Sequence, residues 1–179
     1  MTKFAAPFAV AVAVSLSLSG CSGELGSFFT LGGQTQAQVE PTGDPKTTLS
    51  PADVQYLRSI WAHGNQAIEL GKMAKRLTQT HKIRAIAKSI GDARDAEVAT
   101  IKAILVAAGE PANPNHHDMP GFATNSQMSE LAHNKDAKFD AVFLTMMVTH
   151  HDGAISMSKD ILAKTKNTKV TEVANAIIA

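Results

Sequence analysis

Two histidines stand 87 residues apart, His63 and His150, and the sequence around them matches at that offset. His151 follows His150 directly. Met147 lies three residues before His150 and four before His151, Met146 is one turn before His150, and Met157 is seven residues after it. On a helix, steps of three, four and seven bring side chains to one face. The segment therefore offers imidazole and thioether groups together. Imidazole suits copper and zinc, and thioether sulfur selects Cu(I) or Ag(I). The same residues also have plainer uses: a stripe histidine serves as a hydrogen-bonded core group, and methionines fill core space.

A second tract lies between the two histidine segments. Asn113-Pro114-Asn115-His116-His117-Asp118-Met119-Pro120-Gly121 reads as a loop, from its prolines and glycine. His116, His117 and Met119 form an accessory or entrance site for Cu(II) or Zn(II) in this reading, or else a solvated loop. Acid should weaken binding, because protonated imidazole cannot ligate, and the loss for ordinary histidines falls between pH 7 and 5. Glu130-Leu131-Ala132-His133 has the Glu-x-x-His spacing of di-iron bundles, but it occurs once, and the predicted core stripes carry no acid. No Ser/His/Asp arrangement and no phosphate-binding glycine loop is recognisable, so no catalytic residue is expected.

The elements that carry these side chains come from a duplication. Residues 53–92 align with 140–179 without a gap, and ten of the 40 positions are identical, His63/His150 among them. Each copy reads as a helical hairpin. Ser50-Pro51-Ala52-Asp53 supplies a Ser cap, Pro at the first helical position and a carboxylate at the third. Tyr56, Ile60, His63, Ala67, Leu70, Ala74 and Leu77 make one apolar stripe. A break near Gln79-Thr80 precedes a second, longer helix marked by Ile83, Ile86, Ile90, Val98, Ile101 and Leu105, which Gly109 and Pro111 stop. In the second copy the stripe is Phe139, Phe143, Met146, His150, Ala154, Met157 and Ile161, and Val170, Val173 and Ile177 begin the partner helix.

Two amphipathic hairpins bury their stripes against each other, which predicts an all-α four-helix bundle over residues 50–179: repeat one 50–109, linker 110–135, repeat two 136–179. The second repeat is shorter than the first, which reads as a truncated copy. On that basis Val98, Ile101 and Leu105 are expected to be exposed or covered by another molecule.

The first 20 residues have the pattern of a signal peptide: positive Lys3, then an uncharged apolar run from Phe4 to Leu18. Leu18-Ser19-Gly20-Cys21 resembles the bacterial lipobox, and Cys21 is the sole cysteine. A lipidated Cys21 predicts anchoring to a membrane of the cell envelope. Residues 21–49, rich in Gly, Ser, Thr, Gln and Pro, read as a flexible tether. Without residues 1–20 the chain has 16 basic and 16 acidic groups, so nothing electrostatic points to nucleic acid.

Phe139-Asp140, Phe143-Leu144, Met146-Met147, His150-His151, Gly153-Ala154 and Met157, with Met119-Pro120-Gly121 upstream, resemble the signature of the DUF305 family. The resemblance implies an exported bacterial protein with a ferritin-like four-helix bundle made of two repeated hairpins. Some members are associated with copper binding and resistance outside the cytoplasm. This chain departs from the pattern in its first repeat: Gly64 stands where a second histidine is common, and Ile60 replaces a methionine at the place matching Met147. Its C-terminal helix is also short.

The leading expectation is a non-enzymatic, membrane-anchored protein that sequesters or delivers a copper ion. Met146, Met147, His150, His151 and Met157 would bind it, with His63 opposing. Its partners would be the metal ion, the membrane and, as an option, a second copy of the chain. The alternatives are an envelope interaction module without metal and, third, a ferritin-like redox enzyme.

Overall fold

The computed structural model describes residues 48–113 and 118–179. The signal segment, Cys21, most of the tether, His116 and His117 lie outside them. Five helices form: α1 (Pro51–Leu77), α2 (His81–Ala107), α3 (Asn125–His133), α4 (Asp136–Leu162) and α5 (Thr168–Ile178), with no strand among the described residues.

The predicted start of α1 is present. Asp53 N–H donates to Ser50 Oγ (3.2 Å), Ser50 N–H donates to Asp53 Oδ2 (2.8 Å), and Pro51 opens the helix. The duplication extends to the hairpin turns. Thr80 N–H donates to Thr78 Oγ1 (2.9 Å), and at the matching place Asn167 N–H donates to Thr165 Oγ1 (3.1 Å). Thr80 and Asn167 then occupy the N-cap positions of α2 and α5. Two expectations change. First, α2 is not longer than α1; each has 27 residues. Second, Ile101 and Leu105 are fully buried inside the chain, because Leu57 and Ile60 of α1 and Val170 and Val173 of α5 cover them. The open part of α2 is instead a face of small residues, Ala93, Ala96, Ala103 and Ala107, beside a groove of about 820 Å³ shared with α5.

The core divides into two apolar clusters. One joins Val54, Leu57 and Ile60 of α1 to Ile101 and Leu105 of α2, Ile161 of α4 and Val170 of α5. The other joins Ala67, Leu70 and Ala74 of α1 to Ile83 of α2, Leu131 of α3 and Phe139, Phe143 and Met147 of α4. The start of α1 thus packs with the end of α4, and the end of α1 with its start, so the two helices run antiparallel. His63 and His150 fall between the clusters, where α1 and α4 cross.

Candidate metal centre

His63 and His150 meet at that crossing. Their ring centroids are 3.9 Å apart with planes inclined by 47°, and the residues are 1% and 4% exposed. The sequence puts them there because both occupy core positions of stripes related by the repeat, and antiparallel packing superposes the two stripe centres.

A loop closes over the pair. His63 Nε2–H donates to the Pro120 carbonyl at 2.9 Å, and the His63 and Phe122 rings meet in a T-shaped arrangement with centroids 5.6 Å apart. One turn further on, the Gln66 amide exchanges two 2.8 Å hydrogen bonds with the Ala123 backbone. Gly153 aligns with Gln66 in the repeat and meets the same loop differently: a Cβ there would lie 1.9 Å from the Pro120 oxygen. Gly121, at φ +72°, would likewise put a Cβ 2.3 Å from the Thr149 oxygen. The Met119-Pro120-Gly121 segment therefore crosses α4 backbone to backbone.

The hydrogen bonds define the available lone pairs. With Nε2–H of His63 donated to a carbonyl, Nδ1 carries the lone pair, and that atom is buried without a partner. Nε2 of His150 is also buried and unpartnered. His151 donates Nδ1–H to the Met147 carbonyl at 2.8 Å, which leaves its lone pair on Nε2. Leaving a buried polar atom unpaired costs about 1–3 kcal/mol, and two such nitrogens on touching rings are therefore a feature to be explained.

Burial also sets the charge of the pair. It pushes His63 below the ordinary histidine range, against the Pro120 hydrogen bond and with help from His151 and Arg94. His150 is pushed down to about 3, chiefly by burial, with the charges of His63, His151 and Arg94 adding to it and a hydrogen bond to the His63 backbone opposing. Both rings are neutral at pH 7, the form that ligates. Proton competition is consequently shifted down at both rings, and at His150 it falls below the window of pH 7 to 5 that ordinary histidines give.

Next to the rings is a void of about 20 Å³, lined by His63, His150, His151, Gly64, Arg94 and Glu97 among others. Its size suits one water molecule or one ion. Arg94 Nη1 donates to Glu97 Oε2 at 2.6 Å, with both side chains largely buried. Burial raises the Glu97 carboxyl, and Arg94 opposes the rise. Sequence reasoning missed this pair, although Arg94 fills the gap in the apolar stripe of α2 between Ile90 and Val98 and Glu97 stands one turn before Ile101. A pair of opposite charges three residues apart, set into that stripe, was its signal.

None of the predicted methionines lines the void beside the His63–His150 pair. Met147 packs with Phe139 and Phe143, and it borders a separate shallow depression of about 320 Å³ with Leu144, Val148, His151 and Asp152. Met146 leans on the same cluster as Met147, and Met157 on the other. Met119 is buried in the loop that closes the pair. Glu130 and His133 are exposed on α3, away from any core. Among the described residues, no three His, Cys, Asp or Glu side chains surround one point. The donor set is thus rich in imidazole, but closing it on an ion requires side chains to turn.

A four-helix bundle with a buried, loop-covered histidine pair is the class that fold and site define. The chain belongs to the DUF305 family: the family model described as "Domain of unknown function (DUF305)" matches residues 53–179. Among solved structures, a DUF305 protein from Streptomyces coelicolor is 21% identical, with a TM-score of 0.67 over 71% of this chain and 83% of that one. A DUF305 fragment from Deinococcus radiodurans is 24% identical, with a TM-score of 0.67 over 73% and 88%. CopM in its Cu(I)-bound form is 20% identical, with a TM-score of 0.61 over 70% and 84%. These likenesses establish the fold. No curated protein sequence matches the chain.

Proposed function

We propose that this domain binds copper outside the cytoplasm and stores or passes it on without catalysing a reaction. The observation that carries the reading is the His63–His150 pair: two neutral imidazoles in contact, each with a buried ring nitrogen lacking a partner, beside a void of ionic size. Imidazole is a good copper ligand. The Cu(I), Ag and Cu(II) forms of CopM, a protein of the same fold, support the choice of metal. The signal-like N-terminus and Cys21 support export and a lipid anchor. His151 lines both the inner void and the outer depression bordered by the buried Met147, so a thioether–imidazole pair beneath that depression is a natural place for Cu(I) to arrive.

Competition titration of the purified chain with Cu(I) against a chelator of known affinity tests the reading. His63→Gln keeps an N–H that can reach Pro120, and with His150→Gln it removes both inner imidazoles. The double variant is expected to bind Cu(I) weaker by roughly 10–100-fold or more. Equal binding by a folded double variant would count against the pair as the site. A second reading, an interaction module, draws on Leu144 and Val148, two large apolar side chains exposed on α4. It predicts no Cu(I) binding and a loss of stability alone in the double variant.

A further inference from the structure

His151 has no counterpart in the first repeat, where Gly64 holds its place. The fold shows what occupies that space. A Cβ at Gly64 would lie 2.6 Å from Val98 Cγ2 and 3.9 Å from Glu97 Oε1. Helix α2 runs so close over α1 here that its own side chains fill the room a histidine would need. Glu97 is also the single acidic residue lining the void that His63, His150 and His151 share.

We infer that Glu97 completes a divalent-cation site with His63, His150 and His151, standing in for the second histidine of the first repeat. This rests on the reading of the histidine pair as a metal site. A carboxylate added to the three imidazoles makes a nitrogen–oxygen set that suits Zn(II) or Cu(II) as well as the copper that the imidazole pair takes by itself. Charge points the same way. A dication placed beside the Arg94 guanidinium needs a local anion, and Glu97 supplies it. Without the ion, the 2.6 Å bond to Arg94 holds the carboxylate. Binding transfers Glu97 from Arg94 to the cation by rotation of its own side chain, and the imidazoles turn with it, because no three of these side chains surround one point without the ion. Arg94, whose side chain is 21% exposed, then turns to solvent.

Zn(II) titration of the purified full chain, by calorimetry and by competition with a chromogenic chelator, tests the assignment. Glu97→Gln keeps the side-chain shape and a hydrogen bond to Arg94. It is expected to weaken Zn(II) by about tenfold or more while Ag(I) binding is retained. Arg94→Gln removes the competing cation and is expected to tighten Zn(II), which gives a readout of opposite sign should Glu97→Gln fold poorly. Unchanged Zn(II) affinity in folded Glu97→Gln, or weaker Zn(II) binding in Arg94→Gln, overturns the inference. Wild type that binds Ag(I) but not Zn(II) overturns it too and leaves the copper reading standing. Loss of neither metal in His63→Gln/His150→Gln removes the copper reading itself.

Discussion

At the scale of single residues, the molecule keeps two histidines uncharged in its centre. Each is neutral in the fold and has a pKa near 6.5 in the unfolded chain. The stability they contribute is therefore complete above about pH 6.5 and is lost as pH falls towards the folded value, about 3 for His150. For His150 the cost grows by about 1.4 kcal/mol per pH unit, or about 2 kcal/mol at pH 5, and His63 adds to it in the same direction. Urea midpoints of the metal-free chain should fall steeply between pH 6.5 and 5, and His150→Gln should flatten that fall. A midpoint independent of pH in this range would contradict the burial of the pair. A smaller effect belongs to Tyr56. Its hydroxyl donates to Ser158 Oγ at 2.9 Å, since Ser158 spends its own hydrogen on the Ala154 carbonyl. Burial pushes the phenol up to about 12. Tyr56→Phe leaves Ser158 satisfied and should cost about 1 kcal/mol, read by denaturant unfolding; a cost of several kcal/mol would mean that the hydroxyl has another role.

At the scale of elements, the linker loop is as much part of the site as the helices. It supplies the acceptor that fixes the His63 tautomer, and it sits where α4 has no side chain. Gly153→Ala would drive a methyl into the Pro120 carbonyl. The loop must then lift, at a cost of about 1–3 kcal/mol, and His63 loses its partner. Hydrogen exchange at the Ala123 amide, which bonds to Gln66, should speed up in this variant. Unchanged exchange and melting temperature would show that the loop is not held by this crossing. Glycine inside a helix costs about 1 kcal/mol relative to alanine, so Gly153 was a sequence signal for such an approach. The carbonyl it admits was not legible, because backbone acceptors leave no trace in residue types.

At the scale of the whole molecule, the duplicated hairpin and the pairing of His63 with His150 were readable from one offset in the sequence. Antiparallel packing of two related stripes leaves their matching centres little choice but to meet. The fate of the methionines was not readable in the same way. Periodicity places Met146, Met147 and Met157 near one helix face, but that face spans two core clusters, and which cluster takes each thioether depends on the neighbouring helix. Arg94 and Glu97 left a trace, as charges set into the apolar stripe of α2, but what they face follows from how closely α2 passes Gly64, a tertiary distance. The resulting molecule holds the two imidazoles inside and a buried thioether beside His151 beneath a shallow depression.

The central claim is that a soft metal ion is held by the inner imidazoles. Ag(I), a diamagnetic stand-in for Cu(I), allows it to be tested by ring-nitrogen NMR of the ¹⁵N-histidine-labelled chain. Stoichiometric Ag(I) is predicted to shift Nδ1 of His63 and Nε2 of His150. Unmoved ring nitrogens at both positions, with shifts confined to the methionine methyls, would contradict the account.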